Sequence, residues 1–183
     1  MTIDELRNGI ARAKAEILAN LEVEGARVGA DAAALVEDRI VTKGEKNTGG
    51  NLSPYSTKPV PAFLYFGRSR NQAGEKAVRD KAKKREGVSY REFRALNGLN
   101  VSPKNLQFTG EMWQGFGVIG VRKIGEGIVE VEIGGKNPRS SLLLAAHSNR
   151  ENTRITAPSD RELALIKTGI EERLKAIIQR NLS

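Results

Sequence analysis

The stretch FTGEMWQGFGVIGVRKIGEGIVEVEIGG, residues 108–135, decides the fold class of this chain of 183 residues. Residues 118–124 and 128–133 are rich in Val and Ile, which favour β-strands. The Gly-Glu-Gly sequence between them, residues 125–127, predicts a tight turn. The second strand alternates in polarity, so its two glutamates are expected on the solvent face. We therefore predict one antiparallel β-hairpin.

The chain on both sides of this hairpin has the period of amphipathic helices. Helices are predicted over 3–22, over 28–41, over 88–98 and over 160–180, the last beginning at a capping box formed by Ser159 and Glu162. The first helix carries a stripe that is expected to face the core or another copy: Ile3, Leu6, Ile10, Ala13, Ile17 and Leu21. Helices around one small antiparallel sheet predict an α+β fold.

Three segments between these elements have weaker patterns. Residues 42–61 are rich in Gly, Pro, Ser, Thr and Asn, and predict a long structured loop. Residues 62–66 predict a short aromatic strand or an anchor, and residues 141–148 fit a strand or a short buried helix equally well. We find no internal repeat and predict a single domain over 1–183.

Charge is concentrated in the middle of the chain, whose formal net charge is +8. Residues 1–66 carry a net charge of −1, residues 67–105 carry +7 and residues 106–183 carry +2. Eight basic residues stand against three acidic ones within 67–86: Arg68, Arg70, Lys76, Arg79, Lys81, Lys83, Lys84 and Arg85. This local excess is the first candidate for a binding surface.

The composition of residues 67–86 limits what such a surface could bind. The segment lacks aromatic residues, which single-strand binding uses, and it lacks a helix-turn-helix or finger spacing. If it meets nucleic acid, we expect contact with the phosphate backbone without sequence preference. A solvated loop or a dock for an acidic partner protein is an equal alternative. Residues 75–86 could form a helix without an apolar face, but our expectation is an extended basic loop inside the domain.

Residues that could carry catalysis are scarce. The chain has no cysteine and one histidine, His147, which is more simply explained as a partly buried or interface residue than as a catalytic base. Residues 115–120 spell GxGxxG, but they lead into a strand and not into a helix that could hold a pyrophosphate. We predict no enzyme, no cofactor, no metal and no small-molecule substrate. Without a signal peptide or a long apolar run, a soluble, cytoplasmically made protein without membrane contact is expected.

A set of short motifs occurs in a distinctive order between residues 35 and 180. The positions are Arg39-Ile40, Gly50, Leu52, Pro54-Tyr55-Ser56, Leu106, Thr109-Gly110, Met112, Ala146-His147, Pro158 and the helix over 160–180. In this order the chain resembles tail-completion or neck proteins of tailed bacteriophages, which are head–tail connector or virion morphogenesis proteins.

The resemblance implies a small α+β fold that assembles in the virion as a ring of six or twelve copies between portal and tail. Portal or adaptor proteins, tail proteins and packaged DNA would be its partners. Apolar residues in the loops are candidate anchors at a subunit interface: Leu52, Tyr55, Phe63, Phe66 and Trp113. The basic segment 67–86 would face an assembly interface or a DNA-lined lumen. The alternative is an accessory protein that binds nucleic acid without sequence preference through that segment.

Overall fold

Helices on a β-hairpin form the larger part of the computed structural model, which describes residues 2–107 and 110–183. The helices are α1 (Ile3–Ala19), α2 (Leu21–Asp38), α3 (Gln72–Lys83), α4 (Tyr90–Leu96), α5 (Glu111–Gln114), α6 (Pro138–Glu151) and α7 (Asp160–Leu182). The strands are β1 (Pro59–Pro61), β2 (Gly87–Ser89), β3 (Phe116–Gly125) and β4 (Ile128–Gly135). A π-helical turn follows α2 over Arg39–Lys43, and a 3-10 helix spans Ala62–Tyr65. The predicted α+β fold class is confirmed.

The predicted hairpin is present, although Phe108 and Thr109 of the stretch that predicts it lie outside the described residues. Strands β3 and β4 pair antiparallel, with Val118 opposite Ile133 and two register shifts along β3. Gly127 in the turn has a φ of 72°, a left-handed conformation that glycine adopts without strain. The glutamates of β4 are exposed while its valines are partly buried, so the predicted alternation is confirmed.

Helix α2 lies against one face of this hairpin through two buried glycines. A Cβ atom at Gly25 would be 3.1 Å from the Val129 methyl groups. At Gly29 it would be 2.5 Å from Cγ1 of Val131, closer than carbon atoms can approach without displacement. Glycine at both positions therefore lets the helix backbone approach the valines of the sheet, at some cost in helix propensity.

The main core lies where α2, α5, α6 and the hairpin meet. Its buried members come from segments distant in sequence, namely Ala33, Val36, Ile40, Leu52, Leu106, Met112, Trp113, Phe116, Leu144 and Ile155. Residues 141–148, whose sequence fits a strand and a short helix equally well, lie within helix α6. Asn137 caps the first turn of this helix. Helix α7 begins at the predicted capping box of Ser159 and Glu162 and packs on α1 and α2.

Residues 59–97 form a second, smaller core of their own. Strands β1 and β2, the 3-10 helix, α3 and α4 bury Ala62, Val78, Val88 and Phe93 against one another. Residues 62–66 are therefore a helical turn and not a strand. Ser89 caps α4, and Gly98 follows its end with a φ of 68°.

The expectation of an extended basic loop over 67–86 is wrong. Asn71 accepts a hydrogen bond from the Gly74 backbone N–H and caps α3, which covers most of the segment. Val78 is completely buried in the second core, so the helix has an apolar contact after all. One buried valine with small neighbours fixes the orientation of α3. A helix can therefore dock here without a continuous apolar face.

The apolar stripe of α1 is buried at one end only. Ala13 is buried, and Ile17 and Leu21 are partly buried, against the rest of the molecule. At the start of the helix Ile3 is 80% exposed, and Leu6 and Ile10 are exposed as well. We call these last three residues the α1 stripe. The stripe was predicted to face the core or another copy, and within the chain this part faces neither the main nor the second core.

We predict opposite effects for alanine at two helical glycines. Gly29→Ala places a methyl group against Val131 and Val118 and should lower the free energy of unfolding by about 1–3 kcal/mol. Gly169→Ala in α7 meets no atom within 4 Å and should raise it by about 0.5–1 kcal/mol through helix propensity. Urea unfolding followed by circular dichroism measures both, and a stabilising Gly29→Ala would contradict the packing of α2 on the hairpin.

Candidate functional site

The basic arm, residues 67–86, presents cations from one face of α3. Lys76, Arg79 and Lys83 are exposed and recur at the spacing of one helix face, opposite the buried Val78. Arg68 and Arg70 precede the helix, and Lys84 and Arg85 follow it. The eight predicted cations therefore belong to a folded helix and its flanks, with a fixed orientation toward solvent for three of them.

Several of these cations are already paired within the arm or with α4. The Lys81 ammonium lies 2.7 Å from Glu92 and 3.0 Å from Glu86, and these hydrogen bonds raise the pKa of Lys81. Arg79 pairs with Glu75 at 2.8 Å and Lys83 with Asp80 at 3.4 Å. Exposed pairs of this kind contribute little to stability. Five cations form no ion pair with any described residue: Arg68, Arg70, Lys76, Lys84 and Arg85.

An exposed aromatic group lies beside the basic arm. Phe63 is 61% exposed, and Leu64 on the same 3-10 helix and Phe66, which directly follows it, are exposed too. The Arg79 guanidinium carbon lies 4.6 Å from the centroid of the Phe66 ring, a cation–π contact. We call Phe63, Leu64 and Phe66 the aromatic tip. The aromatic tip directly precedes the basic arm in sequence, and the fold keeps the two together as one surface.

Three of the five loop residues predicted at a subunit interface serve inside the chain instead. Leu52, Tyr55 and Trp113 are buried, because the long loop and α5 pack on the main core and on the connection between the two cores. The Tyr55 hydroxyl bonds Asn105 Oδ1 at 3.2 Å and accepts from the Leu106 N–H at 3.1 Å. Only Phe63 and Phe66 of that set are exposed.

A buried arginine fixes the long loop to the C-terminal half. Arg39 Nε donates to Glu162 Oε1 at 3.0 Å, and both side chains are buried. Its Nη1 donates to the Glu45 carbonyl at 2.9 Å, and its Nη2 donates at 3.0 Å to the carbonyls of Ile155 and Ala157. Glu162 also completes the α7 capping box with Ser159. The motif position Arg39 therefore joins four segments of the chain.

A second buried carboxylate holds the loop from the other side. Glu151 at the end of α6 accepts from Lys104 Nζ at 2.5 Å and from the backbone N–H and hydroxyl of Ser53, both at 2.9 Å. Burial alone would raise the pKa of Glu151, but these donors outweigh it and lower that pKa to about 2. Lys46 adds a further contact at 3.3 Å. Ser53 and Lys46 of the long loop are therefore held at the end of α6.

A cleft with a volume of about 660 Å³ lies between the two cores, and we call it the central cleft. The loop Ser53–Lys58 forms one wall, and α4 and α6 form others. Its principal polar and aromatic lining residues are Tyr55, Lys58, Tyr90, Arg94, Lys104, His147 and Arg150. The volume is in the range of ligand-binding pockets. No sequence pattern indicates this cleft, because its lining residues come from four distant segments.

His147 faces this cleft as a partly buried residue, as its sequence context predicts. Its Nδ1 is buried and has no hydrogen-bond partner among the described residues. Burial lowers the pKa of His147 to about 4, and the nearby Lys104 and Arg150 charges act in the same direction. The imidazole is therefore neutral at physiological pH.

Other types of site are not seen in the described part of the chain. Within residues 2–107 and 110–183, no cluster of three or more His, Asp or Glu residues could hold a metal ion. Nor does any helix in these two ranges have the length and apolar character needed to cross a membrane.

Comparison with known proteins gives no relative of this chain. No protein-family model matches it, and neither a curated protein nor a solved structure matches it.

The neutral His147 predicts a pH dependence of stability. Its pKa is 6.5 in a model peptide and about 4 in the folded chain, so the unfolded chain binds more protons between these values. The contribution of His147 is therefore full above about pH 6.5, falls as the pH decreases, and is lost below about pH 4, a change of about 2–3 kcal/mol once partial solvent exposure reduces the value of about 1.4 kcal/mol per pKa unit. His147→Gln should reduce the slope in this window in urea unfolding experiments. Equal slopes in both proteins would contradict the assignment.

Proposed function

We propose that this chain is a structural subunit that assembles with copies of itself into a ring, as in the neck or tail of a tailed bacteriophage. The observation that carries this proposal is the exposure of large apolar side chains in two separate parts of the molecule. These are the α1 stripe and the aromatic tip. Exposed apolar clusters of this kind are typical of interaction surfaces.

The α1 stripe supports self-assembly because its three large apolar side chains are exposed and belong to neither core of the described residues. Gly9, Arg12 and Glu16 join α1 to the end of α7, through contacts that include a hydrogen bond from Arg12 Nη2 to the Asn181 carbonyl at 2.9 Å. Ile3 and Leu6 precede all of these contacts along the helix. A second protein surface would remove them from water.

Ring closure adds a geometric requirement. In a ring each copy uses two different surfaces, one for each neighbour, and further surfaces contact the proteins above and below. The α1 stripe and the aromatic tip belong to different parts of the fold, since the tip packs on the second core and α1 packs on α7. Because the two surfaces are separate, one can contact a neighbouring copy within the ring while the other contacts the protein above or below it. The basic arm beside the tip would face DNA or an acidic partner.

We predict that removal of the α1 stripe reduces assembly. Ile3→Ser with Ile10→Ser should shift the wild-type oligomer toward monomer in light scattering and native mass spectrometry, because exposed apolar area drives association. The matched control is Leu142→Ser, which changes a side chain that is 71% exposed on α6 and belongs to neither surface. Wild-type protein that stays monomeric with and without portal and tail proteins would contradict the proposal.

A second candidate function is nucleic-acid binding without sequence preference, and one observation favours it. The sequence argued against single-strand binding because the basic arm lacks aromatics, but the fold places Phe63 and Phe66 beside it. Exposed rings with neighbouring cations fit base stacking combined with phosphate contact. This surface could serve such binding alone or within a virion ring.

For this candidate we predict a salt-dependent affinity for DNA. Lys76→Glu with Lys83→Glu should make the slope of log affinity against log salt less negative by about 1 to 2, because each lost phosphate contact removes nearly one released counterion. Phe63→Ala with Phe66→Ala should weaken single-strand binding more than duplex binding. Lys123→Glu with Lys175→Glu, exposed cations outside this surface, is the control. Fluorescence anisotropy measures all three, and equal slopes for the arm and control variants would exclude this function.

A further inference from the structure

The central cleft carries positive charge that the chain itself does not neutralise. Four cations line it, namely Lys58, Arg94, Lys104 and Arg150, and no carboxylate is among its described lining residues. Lys104 is paired with Glu151. The other three form no ion pair with a carboxylate within residues 2–107 and 110–183. The cleft is therefore a cationic cavity with one internally compensated charge.

Arg94 is the most deeply buried of the three cations without an ion pair, because it is only 1% exposed. Its Nε donates to the Asn100 carbonyl at 3.0 Å, and its Nη2 donates to the same carbonyl and to Asn105 Oδ1. The guanidinium carbon lies 4.3 Å from the centroid of the Tyr55 ring. These partners are all neutral. A buried charge without a counter-ion is costly, so an anion in the cleft would be bound strongly.

A further feature of the central cleft favours a peptide carboxylate over an inorganic anion. Apolar side chains line the same space, among them Val60, Leu106, Met112 and Leu143. An occupant that satisfies both the cations and this lining carries a carboxylate beside apolar side chains.

The start of α1 has that chemistry and is exposed. Asp4 lies between Ile3 and Leu6, and Lys or Arg first occurs at Arg7. All three side chains are exposed, and they belong to a helix whose Thr2 capping box keeps the first turn formed. Within the chain, α1 packs mainly on α7, and its first turn is not among the described residues that line the central cleft, so the two would meet between two copies in a head-to-tail contact.

We infer that the first turn of α1 of one copy docks in the central cleft of the next copy, with the Asp4 carboxylate facing Lys58, Arg94 and Arg150. This inference deepens the proposed ring function and depends on it. It assigns the two lateral surfaces of the ring, the α1 stripe and the central cleft, and leaves the aromatic tip for other partners. Because the two surfaces differ, the contact repeats from copy to copy and does not close as a two-fold dimer.

The absence of cysteine in the chain allows a direct crosslinking test. Full-length protein with Arg7→Cys and Ser56→Cys, treated with a short bis-maleimide reagent, should give a ladder of covalently linked copies on a denaturing gel, because both positions are exposed, Ser56 lines the cleft and the charges proposed to pair are kept. The matched control is Arg7→Cys with Lys76→Cys, whose second position is an exposed lysine of the basic arm outside the cleft. An assembled protein with equal ladders in both variants would overturn the inference.

A charge exchange tests the electrostatic part by a second measurement. Asp4→Lys, and separately Lys58→Glu with Arg150→Glu, should each weaken self-association at least about tenfold in analytical ultracentrifugation, because like charges then face each other. Combining the three changes in one chain should restore part of the loss. If wild type assembles and none of these variants alters its association, the inference fails while the proposed function stands. If wild type does not self-associate at any concentration, both fail.

Discussion

The buried Arg39 guanidinium is the interaction on which the position of the other elements depends. It joins the π-helical turn after α2 to the long loop at Glu45, to the connection at Ile155 and Ala157, and to Glu162 at the start of α7. Removing one partner of such a network leaves buried groups without hydrogen bonds, which is strongly destabilising. The wall of the central cleft and the angle of α7 therefore share one anchor.

Elements with strong local signals could be predicted from the sequence, and those that depend on distant contacts could not. The hairpin over 116–135 has strand periodicity and a glycine turn, and α4 and α7 have side-chain caps at Ser89 and Ser159. Helix α3 places one large apolar side chain, Val78, in the second core, which leaves no apolar period to detect in the sequence. Residues 141–148 are helical because Asn137 caps them and Leu144 enters the main core, a contact that the segment itself does not encode.

The candidate surfaces likewise divide into one that could be predicted from the sequence and others that could not. The sequence identified the cations of the basic arm, because a charge count needs no tertiary structure. It did not identify the central cleft, and it assigned Leu52, Tyr55 and Trp113 to an interface although they are buried within the chain. Apolar residues in a loop have the same sequence signature whether they anchor the loop to its own core or to another subunit. Only the fold separates Phe63 and Phe66 from the other three.

The proposed assembly would use the α1 stripe, the central cleft and the aromatic tip together. An acidic, apolar helix start and a cationic cleft on the same chain are complementary surfaces, and such surfaces give head-to-tail contacts. Electron microscopy of the wild-type particles, with image classification to determine symmetry, distinguishes the alternatives. A head-to-tail ring of more than two copies, with α1 of each copy in the cleft of its neighbour, is the predicted result. A monomer, or a two-fold dimer joined by identical surfaces, would contradict it.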